Sequence, residues 1–260
     1  MIRLSANLGF LWPDRPLLDR IDAAARAGFR AVELHWPYDV PAARVREACA
    51  RNGLALLGLN TPVGDAAAGE FGLAAVPGRG RDFRDGFARA LDYAREAGAG
   101  AIHVMAGVVA PGSEAAARDA FVENLAGAAP QAEEAGVVLL LEPINPVDKP
   151  DYFYARAEDA LPVMDAVGSP ALRLMFDCYH AQRTTGDVTP RLARLMDRIG
   201  HVQIAAAPSR AEPDEGELDH RAVFAALERL GYAGWVGCEY RPRADTDAGL
   251  SWIGRLGLSL

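Results

Sequence analysis

Short apolar runs alternate with segments of helical spacing about eight times along this chain, and no other feature restricts its fold as strongly. Strands that alternate with helices imply a parallel sheet, since each crossover needs a connection long enough to return over one face. The strand candidates are residues 3–8, 29–34, 54–59, 101–105, 137–142, 172–177, 200–205 and 234–239. Helix candidates lie at 16–27, 41–51, 82–97, 113–135, 158–166, 189–198 and 219–230, and residues 248–260 add a short last helix. Several are followed by glycine, as at Gly28, Gly98, Gly136 and Gly231, the usual C-terminal stop. The glycine-rich connection over residues 63–81 is long, and loops of that length are uncommon unless functional, so it is expected over the site as a partial lid. Eight such units in roughly 250 residues is the size of a closed (β/α)8 barrel. The expected fold is therefore α/β, a single TIM barrel domain over residues 1–260. An open doubly wound sheet would want a glycine-rich phosphate loop after its first strand, and Asn7-Leu8-Gly9-Phe10-Leu11-Trp12 does not supply one.

Polar residues close several of the apolar runs. Val137-Val-Leu-Leu-Leu141 reads as a strand buried on both faces, followed at once by Glu142 and then Pro143, which ends the ladder. Asp177, Gln203 and Glu239 stand in the same relation to the three later strands. In a parallel barrel all these ends open on one rim, where the chemistry is done. A charge there is costly unless it is paired or binds a metal. Glu142, Asp177, Gln203 and Glu239 are thus expected to converge on one ion. Their oxygen-only set suits Mg2+ or Mn2+ better than zinc, with the neutral Gln203 as the weakest ligand.

Further candidates surround this set. His180, three residues after Asp177, is placed on a loop above the rim as a substrate contact. His103, within the fourth strand, is either a satisfied core histidine or a second substrate contact; His201, on the face of Gln203 but deeper, is read as structural. Arg210, on the loop after the seventh strand, either clamps a substrate carboxylate or pairs with Glu212 or Glu215. His35 and His220 are taken as surface or helix-start residues.

The net charge of −8 (27 basic against 35 acidic residues) argues against a nucleic-acid partner and fits a small-molecule substrate. Cys49, Cys178 and Cys238 form no CxxC pair and are expected as reduced packing residues. No signal peptide and no run of roughly 18 apolar residues is seen, so a cytoplasmic protein without a membrane partner is expected. Nothing excludes a homo-oligomer.

The chain resembles the hydroxypyruvate isomerase family, within the xylose isomerase-like barrels that also contain the tagatose and psicose 3-epimerases and endonuclease IV. The likeness rests on Ala6-Asn7-Leu8, Ala27-Gly28-Phe29 with Val32-Glu33, Pro37-Tyr38-Asp39 and Leu59-Asn60-Thr61-Pro62. It continues through His103-Val-Met-Ala-Gly107, Leu141-Glu-Pro-Ile-Asn145, Phe176-Asp-Cys-Tyr-His180, His201-Val-Gln-Ile-Ala205 and Gly231 through Tyr240. It implies a divalent cation held by Glu142, Asp177, Gln203 and Glu239, with Glu142 and Glu239 as acid–base residues. Trp36 and Ala206-Ala207 depart from the family pattern near the substrate.

The expected reaction is an aldose–ketose isomerisation of a short sugar acid, hydroxypyruvate to tartronate semialdehyde, through an enediolate. A 2-oxo-tetronate isomerase or a ketose 3-epimerase would use the same scaffold. A metal-dependent nuclease of the endonuclease IV type would need more rim histidines and a basic groove. A non-catalytic sugar-acid-binding barrel would have little use for two glutamates on one ion.

Overall fold

The computed structural model describes residues 2–260. In chain order it contains β1 (Arg3–Asn7), α1 (Leu17–Ala27), β2 (Ala31–Glu33), α2 (Ala42–Asn52), β3 (Ala55–Leu56), β4 (Gly58–Asn60) and α3 (Gly80–Ala97). Next come β5 (Ala101–His103), α4 (Glu114–Ala135), β6 (Val138–Leu141), α5 (Ala157–Val167), β7 (Leu172–Asp177), α6 (Cys178–Thr184) and α7 (Val188–Leu195). The chain closes with β8 (Ile199–Ile204), α8 (His220–Arg229), β9 (Trp235–Cys238), α9 (Thr246–Gly249) and α10 (Trp252–Arg255). Every pairing between strands is parallel, in the order β3-β2-β1-β9-β8-β7-β6-β5-β4.

β3 and β4 are two halves of one stave, interrupted at Leu57. The first half pairs with β2 and the second with β5, so the sheet comes round on itself. Leu57 N–H donates to Val32 O at 2.8 Å and Leu34 N–H to Gly58 O at 2.9 Å across the join. The fold is a parallel TIM barrel with the helices outside. Because side chains alternate across a strand, Val32, Ile102, Leu139, Leu174, Val202 and Val236 face the helices and are buried there. Glu142, Asp177, Gln203 and Glu239 belong to the opposite, inward set at the C-terminal ends.

Two local expectations change. The segment after Asp177 is a helix, α6, because the Asp177 carboxylate accepts from Tyr179 N–H at 2.7 Å and caps it. At seven residues α6 is too short to show a period in the sequence. The connection over 63–81 is pinned into the fold in its second half: Ala74 and Ala75 are buried, and their N–H groups donate to Met105 O and Ala106 O. Gly72, at φ +107°, lies so close to Met105 that a Cβ would sit 2.5 Å from its carbonyl oxygen. The turn around Asp65–Gly69 stands exposed, as do Pro77 and Gly78 before α3.

Candidate active site

Glu142, directly after β6, is almost fully buried. Its Oε2 lies 3.4 Å from His103 Nδ1, and its Oε1 has no hydrogen-bond partner. Asp177 spends Oδ1 on the cap of α6, and its Oδ2 is likewise buried and unpartnered. Gln203 donates from Nε2 to Glu33 Oε2 at 2.7 Å, which turns its Oε1 away, again without a partner. Buried oxygens are rarely left open, so three together mark a place for a ligand. Glu239, directly after β9, has both oxygens in use: Oε1 accepts from Arg210 Nη2 at 2.8 Å and Oε2 from Asn7 Nδ2 at 3.2 Å. Glu142, Gln203 and Glu239 line one cavity, and Asp177 stands against Glu142 through His180.

His180 does not sit on a loop above the rim. It is buried on α6, its Nε2 3.6 Å from Asp177 Oδ2 and 3.7 Å from Glu142 Oε1. Asn145 sets its tautomer. The Asn145 Oδ1 accepts from Val147 and Asp148 N–H, so its amide nitrogen must donate, and it meets His180 Nδ1 at 2.6 Å. Nδ1 is therefore the acceptor, and Nε2–H faces the two carboxylates as a donor. Burial and the nearby Arg210 charge hold this ring well below the usual histidine pKa, and burial holds His103 at about 3. Both rings are neutral.

Arg210 pairs with neither Glu212 nor Glu215, which are taken by Arg243. Its guanidinium instead reaches into the site, to Glu239, to Asp148 at 3.2 Å and to within 3.9 Å of Asp177, over the faces of Phe10 and Tyr179. The backbone there is left-handed, at φ +57°, a conformation that costs an arginine about 1–3 kcal/mol and collects at functional sites. His35 is not a surface residue: its ring enters the cavity, with Nε2 3.8 Å from Glu239 Oε1, in space that the missing Cβ of Gly9 leaves open. His220 starts α8 as expected, but buried. Cys178 and Cys238 are fully buried, as packing residues should be.

Glu33 carried no expected role. Its carboxylate is buried among Ser5 Oγ at 2.8 Å, His201 Nε2 at 3.1 Å and the Gln203 amide. It occupies the gap left by Gly237, where a Cβ would fall 2.3 Å from Glu33 Oε1. His201 bonds Glu33 and lines the cavity below Gln203.

Burial raises the Glu142 carboxyl to about 8, helped by Asp177, and Asp177 to about 6, against the pull of Arg210. Burial and Glu142 push Glu239 up as well. A carboxyl raised on folding binds more protons in the native than in the unfolded state, so stability falls as pH rises. The ion-free protein should therefore lose Tm between about pH 4.5 and 8, and Glu142→Gln should flatten that slope. Thermal unfolding across this range checks it; a slope unchanged in the variant would show that Glu142 does not titrate there.

The family model described as a xylose isomerase-like TIM barrel matches residues 21–256. A 2-oxo-tetronate isomerase of Cupriavidus necator is 49% identical over 254 residues, 97% of this chain and 98% of that protein. The hydroxypyruvate isomerase of Escherichia coli K12 is 41% identical over 254 residues, again 97% of this chain and 98% of its own length. The chain belongs to the hydroxypyruvate isomerase family. This isomerase also superposes on a crystal structure described as an AP endonuclease, family 2, from Brucella melitensis, at 39% identity and a TM-score of 0.95, covering 98% of this chain and 99% of that one. Among the described residues of the isomerase, no helix is long and apolar enough to cross a membrane.

Proposed function

We propose that this isomerase interconverts a short 2-oxo acid and its aldehyde isomer, hydroxypyruvate and tartronate semialdehyde, with the help of one divalent cation. The observation that carries it is the set of buried, unpartnered oxygens on Glu142, Asp177 and Gln203. The donor chemistry fits a hard ion such as Mg2+ or Mn2+: Glu142, Asp177 and Glu239 are three buried carboxylates, and the Arg210 guanidinium pairs with Glu239 and comes within 3.9 Å of Asp177 but does not pair with Glu142. Glu142, Asp177, Gln203 and Glu239 would hold the ion, which supplies charge stabilisation for the oxygens of the deprotonated substrate.

The remaining work falls to side chains. Glu239 removes the proton from one carbon, and Glu142 serves the neighbouring carbon. His103 and His180, both neutral, meet substrate oxygens without adding charge. Arg210 has the fork for a substrate carboxylate and keeps Glu239 oriented. The partner is a small sugar acid, and the cytoplasm is the expected place of work. Nucleic acid is not expected as a substrate, because the chain is acidic overall and its buried arginine at the rim is already surrounded by carboxylates.

The Cupriavidus necator relative supports a four-carbon variant of the same reaction, on 2-oxo-tetronate. Turnover in deuterated water, with hydroxypyruvate, 2-oxo-tetronate and a free ketose such as psicose compared, tests the proposal. Deuterium should enter the product from an acid substrate, and abasic-site DNA should stay intact as a control. Strict retention of the substrate hydrogen would replace the enediolate by a hydride shift, and turnover of the ketose alone would overturn the acid substrate.

A further inference from the structure

The barrel of this isomerase is not filled. Barrels of this kind usually stack bulky branched side chains in layers along the axis. Here Gly58, Ala101 and Gly237 occupy inner positions of β4, β5 and β9, and the middle carries the polar Ser5, Glu33 and His201. One cavity of about 510 Å3 runs from Glu142, Gln203 and Glu239 at the C-terminal rim to Val138, Arg173 and Trp235 at the opposite strand ends. A three-carbon acid displaces on the order of four waters, roughly 120 Å3 at ~30 Å3 each. The lower half of the cavity is therefore surplus to the reaction at the rim.

Its walls have a definite chemistry. Val138, Leu140, Met175, Ile199 and Trp235 are apolar, and among the described residues Arg173 is the charged side chain lining the cavity at the N-terminal ends of the strands, while the Arg3 guanidinium lies 4.7 Å over the Trp235 ring. The Arg173 guanidinium is half-buried and has no ion pair or side-chain hydrogen bond among the described residues. Gly200 makes room for it: a Cβ there would stand 2.6 Å from Arg173 Cβ and 3.0 Å from Leu140 Cδ2. A cation drawn partly out of water favours an anionic partner, and a guanidinium takes a carboxylate on two parallel hydrogen bonds. Concave, mostly apolar pockets with a single placed charge are how small ligands are oriented.

We propose that the lower half of the barrel is a second small-molecule site, separate from the rim, for a compact organic anion with an apolar body. Its branched or aromatic body lies among Val138, Ile199 and Trp235, and its carboxylate rests on Arg173. The assignment takes from the reaction proposed above only the small size of its substrate, and it does not depend on the metal.

Calorimetric titration of the metal-loaded enzyme with 4-methylpentanoate, and with 4-methylpentan-1-ol as its neutral counterpart, tests the site. The acid should bind at least ~10-fold more tightly than the alcohol, the usual advantage of a hydrogen bond to a charged group. Arg173→Met should erase that preference while leaving alcohol binding and rim turnover in place. Ala101→Leu, which fills the cavity, should weaken both ligands ~10-fold or more; if it does not fold, Arg173→Met alone decides. Equal binding of acid and alcohol to the parent enzyme overturns the proposal. So does an acid preference that survives Arg173→Met, or binding of neither ligand below about 10 mM, which would leave the cavity to water.

Discussion

Glu142→Gln should fold as the parent does and lose about 10²–10⁴-fold in kcat, the usual contribution of a general acid–base group. The substitution keeps the volume of the side chain and removes only its ability to ionise. Glu142 Oε2 stands 3.4 Å from His103 and Oε1 has no protein partner, so no structural hydrogen bond is lost. Burial already disfavours the charged carboxylate, which makes the amide well tolerated. Glu239→Gln should be comparably damaging in turnover but is structurally less neutral. It leaves Arg210 with Asp148 and the more distant Asp177 as its remaining anions. Its thermal stability should therefore fall more than that of Glu142→Gln. Steady-state rates of the two variants decide their roles: either one within threefold of the parent rate leaves the mechanism.

Arg210→Lys is expected to cost about 2–4 kcal/mol in kcat/KM for an acid substrate, in line with losing one partner of a buried charge pair. An ammonium keeps the charge but cannot reproduce a fork that holds Glu239 through Nη2 and Asp148 through Nη1, so that a substrate carboxylate would compete with Asp148 for the second edge. Because Glu212 and Glu215 belong to Arg243, pinning of the loop through them no longer competes as an explanation. What competes is the hold on Glu239. If Arg210 acts only through Glu239, acid and neutral ketose should lose rate equally. If it also binds the carboxylate, the loss should fall on the acid, mainly in KM. Parallel assays on hydroxypyruvate and a ketose separate the two, and equal losses would remove the carboxylate contact.

The staves of the barrel were legible because a strand covered by helices must be apolar, and an interruption such as Glu142 or Asp177 stands out against that run. β7 begins and ends at the residues read from the sequence, Leu172 and Asp177. Glu33 was not legible as an interior residue. It ends a strand of only three residues, and its place depends on Gly237, which lies far along the chain and meets it only after the barrel closes. His35 was hidden for the same reason, since its space is a missing Cβ at Gly9. His180 was found as a residue but misplaced, because the signal for α6 was the capping aspartate itself, already assigned to the metal. Arg210 has alternatives that the sequence leaves open; its partners lie at the end of β7, just after β9 and on the loop after β6, beyond the reach of any spacing rule.

The central claim, that Glu142, Asp177, Gln203 and Glu239 hold a catalytic divalent cation, is tested most directly by exhaustive chelation followed by elemental analysis and assay on hydroxypyruvate. The metal-free protein should be folded and inactive, and Mn2+, Mg2+ or Co2+ should restore turnover. Asp177→Ala should need far more metal than Gln203→Ala, because it removes a charged rather than a neutral ligand. Full activity in protein shown to contain no metal would contradict the account.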